Sequence, residues 1–166
     1  SVRAMIESLL ADWHRHPPTR QGYLDAADRL AARRRRGSAL WARAPRMLTA
    51  TIDDGWGHGL AVIQALARAA GVRVNPLGIL QKPETIVRAC RRDRPDLLGL
   101  TVLQFDSDDA VRHIVAHLPP PTTLVAGGAA YRYDPDFGKR TRTPFVARNG
   151  AAFLQFLLNY RPSDEG

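Results

Sequence analysis

The chain has 166 residues, 45% of them hydrophobic, and a formal net charge of +8 from 24 basic against 16 acidic side chains. This length suits one compact domain and excludes two full ones, and the apolar content suffices for a core without disulfides or a structural metal. Cys90 is the only cysteine, so an internal disulfide is excluded. No charged start followed by an apolar core and a cleavage site is visible, and a reducing, cytoplasmic setting is expected.

Val2, Met5, Ile6, Leu9, Leu10 and Trp13 recur at helical spacing over residues 2–16, and Pro17-Pro18 ends that pattern by removing backbone donors. Thr19 is the expected N-cap of a second helix whose stripe is Tyr23, Leu24, Ala27, Leu30 and Ala31, stopping at Gly37. Ser38 to Ala44 is read as a short third turn carrying Trp41. Arg33 to Arg36 form the one dense basic run. Four consecutive residues point all round a helix, so the run reads as a solvated helix end complementing the helix dipole, and direct nucleic-acid binding is not expected.

From residue 46 short apolar strands are predicted near 46–52, 72–77, 96–103, 122–126 and 144–147. Helical patterns lie between and after them near 59–70, 83–93, 107–118, 130–138 and 150–160. Such alternation predicts an α/β fold, a doubly wound five-stranded parallel sheet preceded by a short helical segment. The expected organisation is a helical segment over 1–45, an α/β domain over 46–160 and a frayed tail over 161–166. The longest apolar stretch, Gly59 to Val74, is interrupted by Gln64, Arg68 and Arg73, so no membrane span is predicted. In open α/β sheets ligands bind beyond the carboxyl ends of the strands. The segments to watch are therefore Asp53 to Gly59, Leu77 to Lys82, Thr101 to Ser107, and Gly127 onward.

The run Asp54-Gly55-Trp56-Gly57-His58-Gly59 resembles the Asp-x-His-x-x-Gly signature of cobalamin-binding domains, with tryptophan where the family has histidine. The alignment is anchored by Ala69-Ala70-Gly71 and by Val72 to Gly78, which match the family's second strand and Leu-Gly turn. Lys82-Pro83-Glu84 resembles the start of the family's second helix, and Gly99-Leu100-Thr101-Val102-Leu103 its Gly-Leu-Ser-x-Leu strand, with threonine for serine. Val125-Ala126-Gly127-Gly128 is similar to the turn that ends its fourth strand, and Phe145 to Gly150, including Asn149, to its last strand and turn. The likeness spans about residues 46 to 160. It does not cover the helical segment, which is too short to be the family's four-helix cap.

The resemblance implies a flavodoxin-like fold that threads the nucleotide tail of cobalamin between sheet and helices. It implies that Gly127 and Gly128 allow the backbone to approach the tail, and that Thr101 offers its hydroxyl to the buried base. Gly55, Gly57 and Gly59 would leave the first loop free to lie under the macrocycle. Trp56 takes the place of the cobalt ligand, and an indole nitrogen has no in-plane lone pair for a metal. Asp54 and Ser107 stand where the family's partners of that histidine stand, with nothing to orient, and His58 is a lesser candidate for cobalt. Tyr131, Tyr133 and Phe137 either wall the slot or close the core.

The pair Asp53-Asp54 also resembles the acidic pair of magnesium-binding receiver domains. That reading fails because Thr101-Val102-Leu103 lacks a phosphorylatable aspartate and the Gly127-Gly128 turn lacks a lysine. Asp106, Asp108 and Asp109 around Ser107 read as a capped helix start, His14, His16, His113 and His117 as surface histidines, and Cys90 as a small core residue.

Three functions follow from the resemblance. The leading one is a cobalamin carrier or accessory module that holds the cofactor base-off, without a histidine on cobalt. It would serve methyltransferase chemistry or, as in cobalamin-dependent radical S-adenosylmethionine methylases, a radical domain located elsewhere, because the chain lacks the cysteine triad. The second is a cobalamin- or haem-sensing regulatory domain, which the basic balance favours slightly. The third is a ligand-free interaction module.

Overall fold

The computed structural model describes residues 1–37 and 39–163. Helix α1 (Val2–Arg15) is capped by the Ser1 hydroxyl, and α2 (Arg20–Arg35) by Thr19, whose Oγ1 accepts from the Gly22 amide at 3.1 Å. Pro17 and Pro18 force the corner between them. The turn expected from Ser38 begins outside the described residues, and 39–44 run as bends without a helical turn. Trp41 is nevertheless buried there, its indole N–H donating to the Tyr160 carbonyl at 2.9 Å.

The remainder alternates β1 (Arg46–Thr51), α3 (His58–Ala70), β2 (Arg73–Gly78), α4 (Pro83–Asp93), β3 (Leu97–Thr101), α5 (Asp108–His117) and β4 (Thr123–Gly127). After β4 come α6 (Ala129–Tyr133), α7 (Phe137–Thr141), β5 (Phe145–Val146) and α8 (Gly150–Asn159). The single helix expected over 130–138 is thus two short ones, separated where the Asp134 carboxylate accepts from the Asp136 amide in a turn. The sheet is five-stranded and all parallel in the order β2-β1-β3-β4-β5. Its direction of winding reverses between β1 and β3, the switch point at which such sheets bind ligands.

Side-chain alternation sorts the strands between two cores. Met47, Leu97 and Val125 face α1, α2, α3 and α8, whereas Leu48, Leu98, Leu100 and Leu124 face α4, α5, α6 and α7. The first helical pair lies against the α3 and α8 layer, with Ile6, Trp13, Ala27 and Leu30 in the same apolar cluster as Leu66 and Phe153. Arg34, expected to be solvated, donates to the Ala69 carbonyl at 3.1 Å at the end of α3, where free carbonyls concentrate negative charge. Cys90 is buried, and that burial, with Asp93 nearby, pushes its thiol up to about 12. No helix among the described residues is long and apolar enough to cross a membrane.

The amino edge of the sheet is held by Asp96. It accepts from Arg43 at 2.8 and 3.0 Å and from the Arg46 amide at 2.8 Å, and Arg43 also donates to the Ser163 carbonyl. The expected frayed tail is therefore tied down as far as Ser163, and Asp164 to Gly166 lie outside the described residues. Burial raises the Asp96 carboxyl, but the hydrogen bonds from Arg43 and Arg46 outweigh it and hold the group below its ordinary value. The resulting stability is present above the unfolded carboxylate value of about 3.9 and is lost as pH falls through the lower folded value. Asp96→Asn is expected to cost about 2 kcal/mol at neutral pH, and urea unfolding at pH 7 and pH 3 should show the gap to the parent shrinking in acid.

Candidate functional site

Three loops meet at the carboxyl edge on either side of the switch point, and two residues that follow one another closely in sequence knit them. Thr51, the last residue of β1, donates to the Asp54 carbonyl at 2.6 Å and accepts from the Leu80 amide at 2.9 Å, joining the loops after β1 and β2. Asp53 reaches across to the loop after β3. Its carboxylate accepts from the amides of Leu103 and Gln104 and from the Ser107 hydroxyl, each at 2.8 Å. Ser107, expected to have no histidine to orient, thus serves Asp53. Its side chain, already engaged, does not cap α5. Asp54 instead accepts from the backbone amide of Trp56 at 2.8 Å, a turn that fixes the start of the glycine-rich loop.

Beside these loops lies a cleft of about 530 Å³ between the sheet and the α3/α8 layer. Its floor is Thr101 and Val102 at the end of β3, and its walls are His58, Gly59, Val62 and Ile63 of α3, with Asn149 and Gly150 at the start of α8. Gly128 and Ala129 close one side, Asp54 and Leu103 another. The α1–α2 corner supplies the remaining wall through Pro17, Pro18, Arg20 and Tyr23. Tyr23 is braced edge-on by Trp13 at 5.0 Å and lies so close to Gly150 that an added Cβ would come within 2.8 Å of its ring. The Thr101 hydroxyl is buried, at 5% residue exposure, and has no hydrogen-bond partner. A buried, unsatisfied hydroxyl costs about 1–3 kcal/mol, so this one is poised for a partner from the cleft.

Of the residues singled out from sequence, Asp54, His58, Gly59, Thr101, Leu103, Gly128 and Asn149 line this cleft. Gly55, Trp56 and Gly57 form the adjoining loop, where Trp56 is 81% exposed with its ring 6.0 Å from that of His58. Tyr131 does not wall the slot. It is buried in the opposite core beside Phe137, its hydroxyl 2.8 Å from Thr143, and burial raises its pKa against the lowering effect of Thr143 and Thr141. Tyr133 points outward. His113 and His117 stack on each other, and among the described residues no group of three His, Cys, Asp or Glu side chains can hold a metal ion.

The two glycines at the end of β4 are packed against backbone. A Cβ on Gly127 would stand 2.1 Å from the Ala147 carbonyl oxygen, and one on Gly128, at φ +108°, would stand 2.5 Å from that of Val102. Both admit neighbouring protein backbone, and Gly128 also lines the cleft.

The family model described as the B12 binding domain matches residues 50–148, most of this α/β unit. The chain belongs to the B12-binding domain family. Among solved structures the domain is similar to a cobalamin-binding protein from Desulfitobacterium hafniense, with a TM-score of 0.75, 19% identity, and coverage of 92% of this chain and 76% of that one. It is also similar to a methanol:cobalamin methyltransferase complex from Methanosarcina barkeri, with a TM-score of 0.62, 18% identity, and coverage of 84% of this chain and 57% of that one. The monomethylamine corrinoid protein of the same organism gives a TM-score of 0.61 at 18% identity, covering 80% of this chain and 62% of that one. At such identities the likeness shows the fold. The chain spans less than two thirds of either Methanosarcina chain. No curated protein sequence matches it.

Sequence reasoning had passed over Asp53 as a knot between loops, and had not placed the α1–α2 corner beside the site. The aspartate doublet was the available signal for the first, since only one of two adjacent carboxylates can serve the turn. For the second there was none, because packing of the helical pair on α3 and α8 is a tertiary outcome. Gly127→Ala is expected to destabilise the B12-binding domain by about 3 kcal/mol or more, the cost of forcing a methyl group into backbone. Urea unfolding checks this, and a midpoint equal to the parent's would show that β4 and β5 separate freely.

Proposed function

We propose that this domain holds a corrinoid with its nucleotide tail in the cleft between the sheet and α3/α8, base-off and with no protein ligand on cobalt. It serves as a carrier or accessory unit in methyl transfer or radical chemistry. The observation that carries the reading is the unpartnered, buried hydroxyl of Thr101, a residue that lines a cleft large enough for a small heterocycle and its sugar. A hydroxyl is donor and acceptor at once, and the unprotonated nitrogen of a benzimidazole-type base is a matching acceptor. Such a base would otherwise be buried without a hydrogen bond.

The apolar surface of the carboxyl edge supports the same reading. Trp56, Ile79, Leu80, Leu103 and Phe105, on the three loops that Thr51 and Asp53 knit together, are the exposed large apolar residues of this edge. Clustered exposed apolar groups mark a surface meant to be covered, and a flat macrocycle of apolar face suits them. When bound, the corrinoid supplies the reactive cobalt. The residues of this chain bind and orient it: Thr101 holds the base, the walls of α3 and α8 exclude water from it, and Trp56 covers the lower face without ligating.

Titration with hydroxocobalamin is expected to give a base-off absorbance spectrum with a dissociation constant of about micromolar or below. No spectral change at millimolar cofactor would overturn the proposal.

Trp56→His tests the vacant ligand position. In the present loop Asp54 Oδ1 is engaged by the backbone of residue 56, and the carboxylate's second oxygen has no protein partner among the described residues. That oxygen can accept from an imidazole N–H, the usual arrangement that selects the ligating tautomer. The expected result is imidazole nitrogen coupling in the electron paramagnetic resonance spectrum of the Co(II) form, absent in the parent. Coupling already present in the parent would assign a histidine such as His58 to cobalt and sink the ligand-free reading.

A further inference from the structure

We infer that the cleft recognises the anionic phosphodiester of the nucleotide tail through a rim of three arginines, Arg20, Arg132 and Arg148, and so selects complete corrinoids over tail-less ones. This rests on the corrinoid reading above and adds a specificity device to it. The three come from three separate places: Arg20 from the first turn of α2, Arg132 from α6, and Arg148 from the loop between β5 and α8. All line the cleft, and all are exposed at its mouth.

Like most arginines among the described residues, the three lie outside the ion pairs. Arg43, Arg92, Arg112 and Arg140 are each bound to an aspartate. Among the described residues, Arg20, Arg132 and Arg148 have no carboxylate partner. Arg132 is positioned instead by the Arg148 carbonyl at 3.4 Å and by the Tyr133 ring at 5.8 Å. Three guanidinium groups against the single carboxylate of Asp54 give the mouth a positive field. Like charges gathered without counter-ions repel, and a bound anion relieves that repulsion.

Depth completes the pattern. Behind the cationic mouth the lining turns apolar, with Val62, Ile63 and the Tyr23 ring, and contains the one unsatisfied hydroxyl of Thr101. Cation outside, apolar wall and lone hydroxyl inside is the complement of an anionic linker joined to a heteroaromatic group. Guanidinium forks suit phosphate oxygens better than a point charge does. Arg20 lies outside residues 50–148, so the helical pair adds to the site a group that the matched region does not contain.

The test compares cobalamin with cobinamide, which lacks the phosphodiester, ribose and base, on the full chain and on an Arg20→Gln/Arg132→Gln/Arg148→Gln variant. All three side chains are exposed, so the variant should keep the parent's circular dichroism and unfolding midpoint. The parent is expected to prefer cobalamin, and the variant to lose about tenfold or more in cobalamin affinity with cobinamide affinity unchanged. Raising NaCl from about 0.05 to 0.5 M should weaken cobalamin binding by the parent more than by the variant. Equal cobalamin binding by both proteins, equal losses for both ligands, or equal salt dependence would overturn the inference and leave the corrinoid reading standing. Failure of the parent to bind cobalamin at all would instead overturn that reading.

Discussion

The carboxylate of Asp53 is the interaction on which the site depends. Loops beyond the carboxyl ends of parallel strands have no ladder to satisfy their amides, and at a switch point two of them diverge. Asp53 leaves β1 and takes two amides and a hydroxyl from the loop after β3, so the diverging segments are clamped by charge-assisted hydrogen bonds. Thr51 performs the parallel task toward the loop after β2. With these loops fixed, Thr101 and Leu103 stand at a defined distance from the start of α3, and the cleft between them has a shape before any ligand arrives.

The cleft is in turn a product of two layers laid on one face. Gly59 of α3 and Gly150 of α8 line it together with Thr101, and Gly150 admits the Tyr23 ring with which the α1–α2 corner closes the far side. Gly127 and Gly128 contribute indirectly. By admitting the backbone of Ala147 and Val102 they draw β5 and the end of β3 close to β4 and turn the chain toward the opposite layer, carrying Tyr131 and Phe137 away from the cleft.

Most of the fold was legible in the sequence because period and punctuation agree along the chain. Pro17-Pro18, Thr19, Gly71 and Pro83 mark boundaries where the helices start or stop. The three inner strands β1, β3 and β4, buried on both faces, read as largely apolar runs. The cleft residues Asp54, Gly59, Thr101 and Asn149 were legible because they sit at a strand end or in the loop or helix start that follows one, where the sequence motif and the topology coincide. Less legible were partnerships between side chains. Nothing in the order Asp53-Asp54 says which carboxylate turns back to its own backbone and which crosses to Ser107, since that depends on where the next loop lies. Tyr131 was ambiguous for a similar reason: a residue three beyond a Gly-Gly turn can enter either layer, and the left-handed φ of Gly128 decides. The loop after Gly37 shows a third limit, since Trp41 is buried through one indole hydrogen bond and not through any regular element.

An open sheet has two unpaired margins, each a template on which another extended chain can add. Here both are blunted. On one side β2 carries Pro76, which has no amide hydrogen to offer, and its pairing with β1 is irregular between Thr49 and Ala50. On the other, β5 is only two residues long and is flanked by Pro144, a residue that likewise lacks a donor. Neither margin offers a run of free donors and acceptors long enough to recruit a neighbour. The sheet therefore ends where it does for chemical reasons, and an apolar-rich chain of this kind is protected from edge-to-edge aggregation without placing a charge in either margin strand's pairing register beyond Arg73.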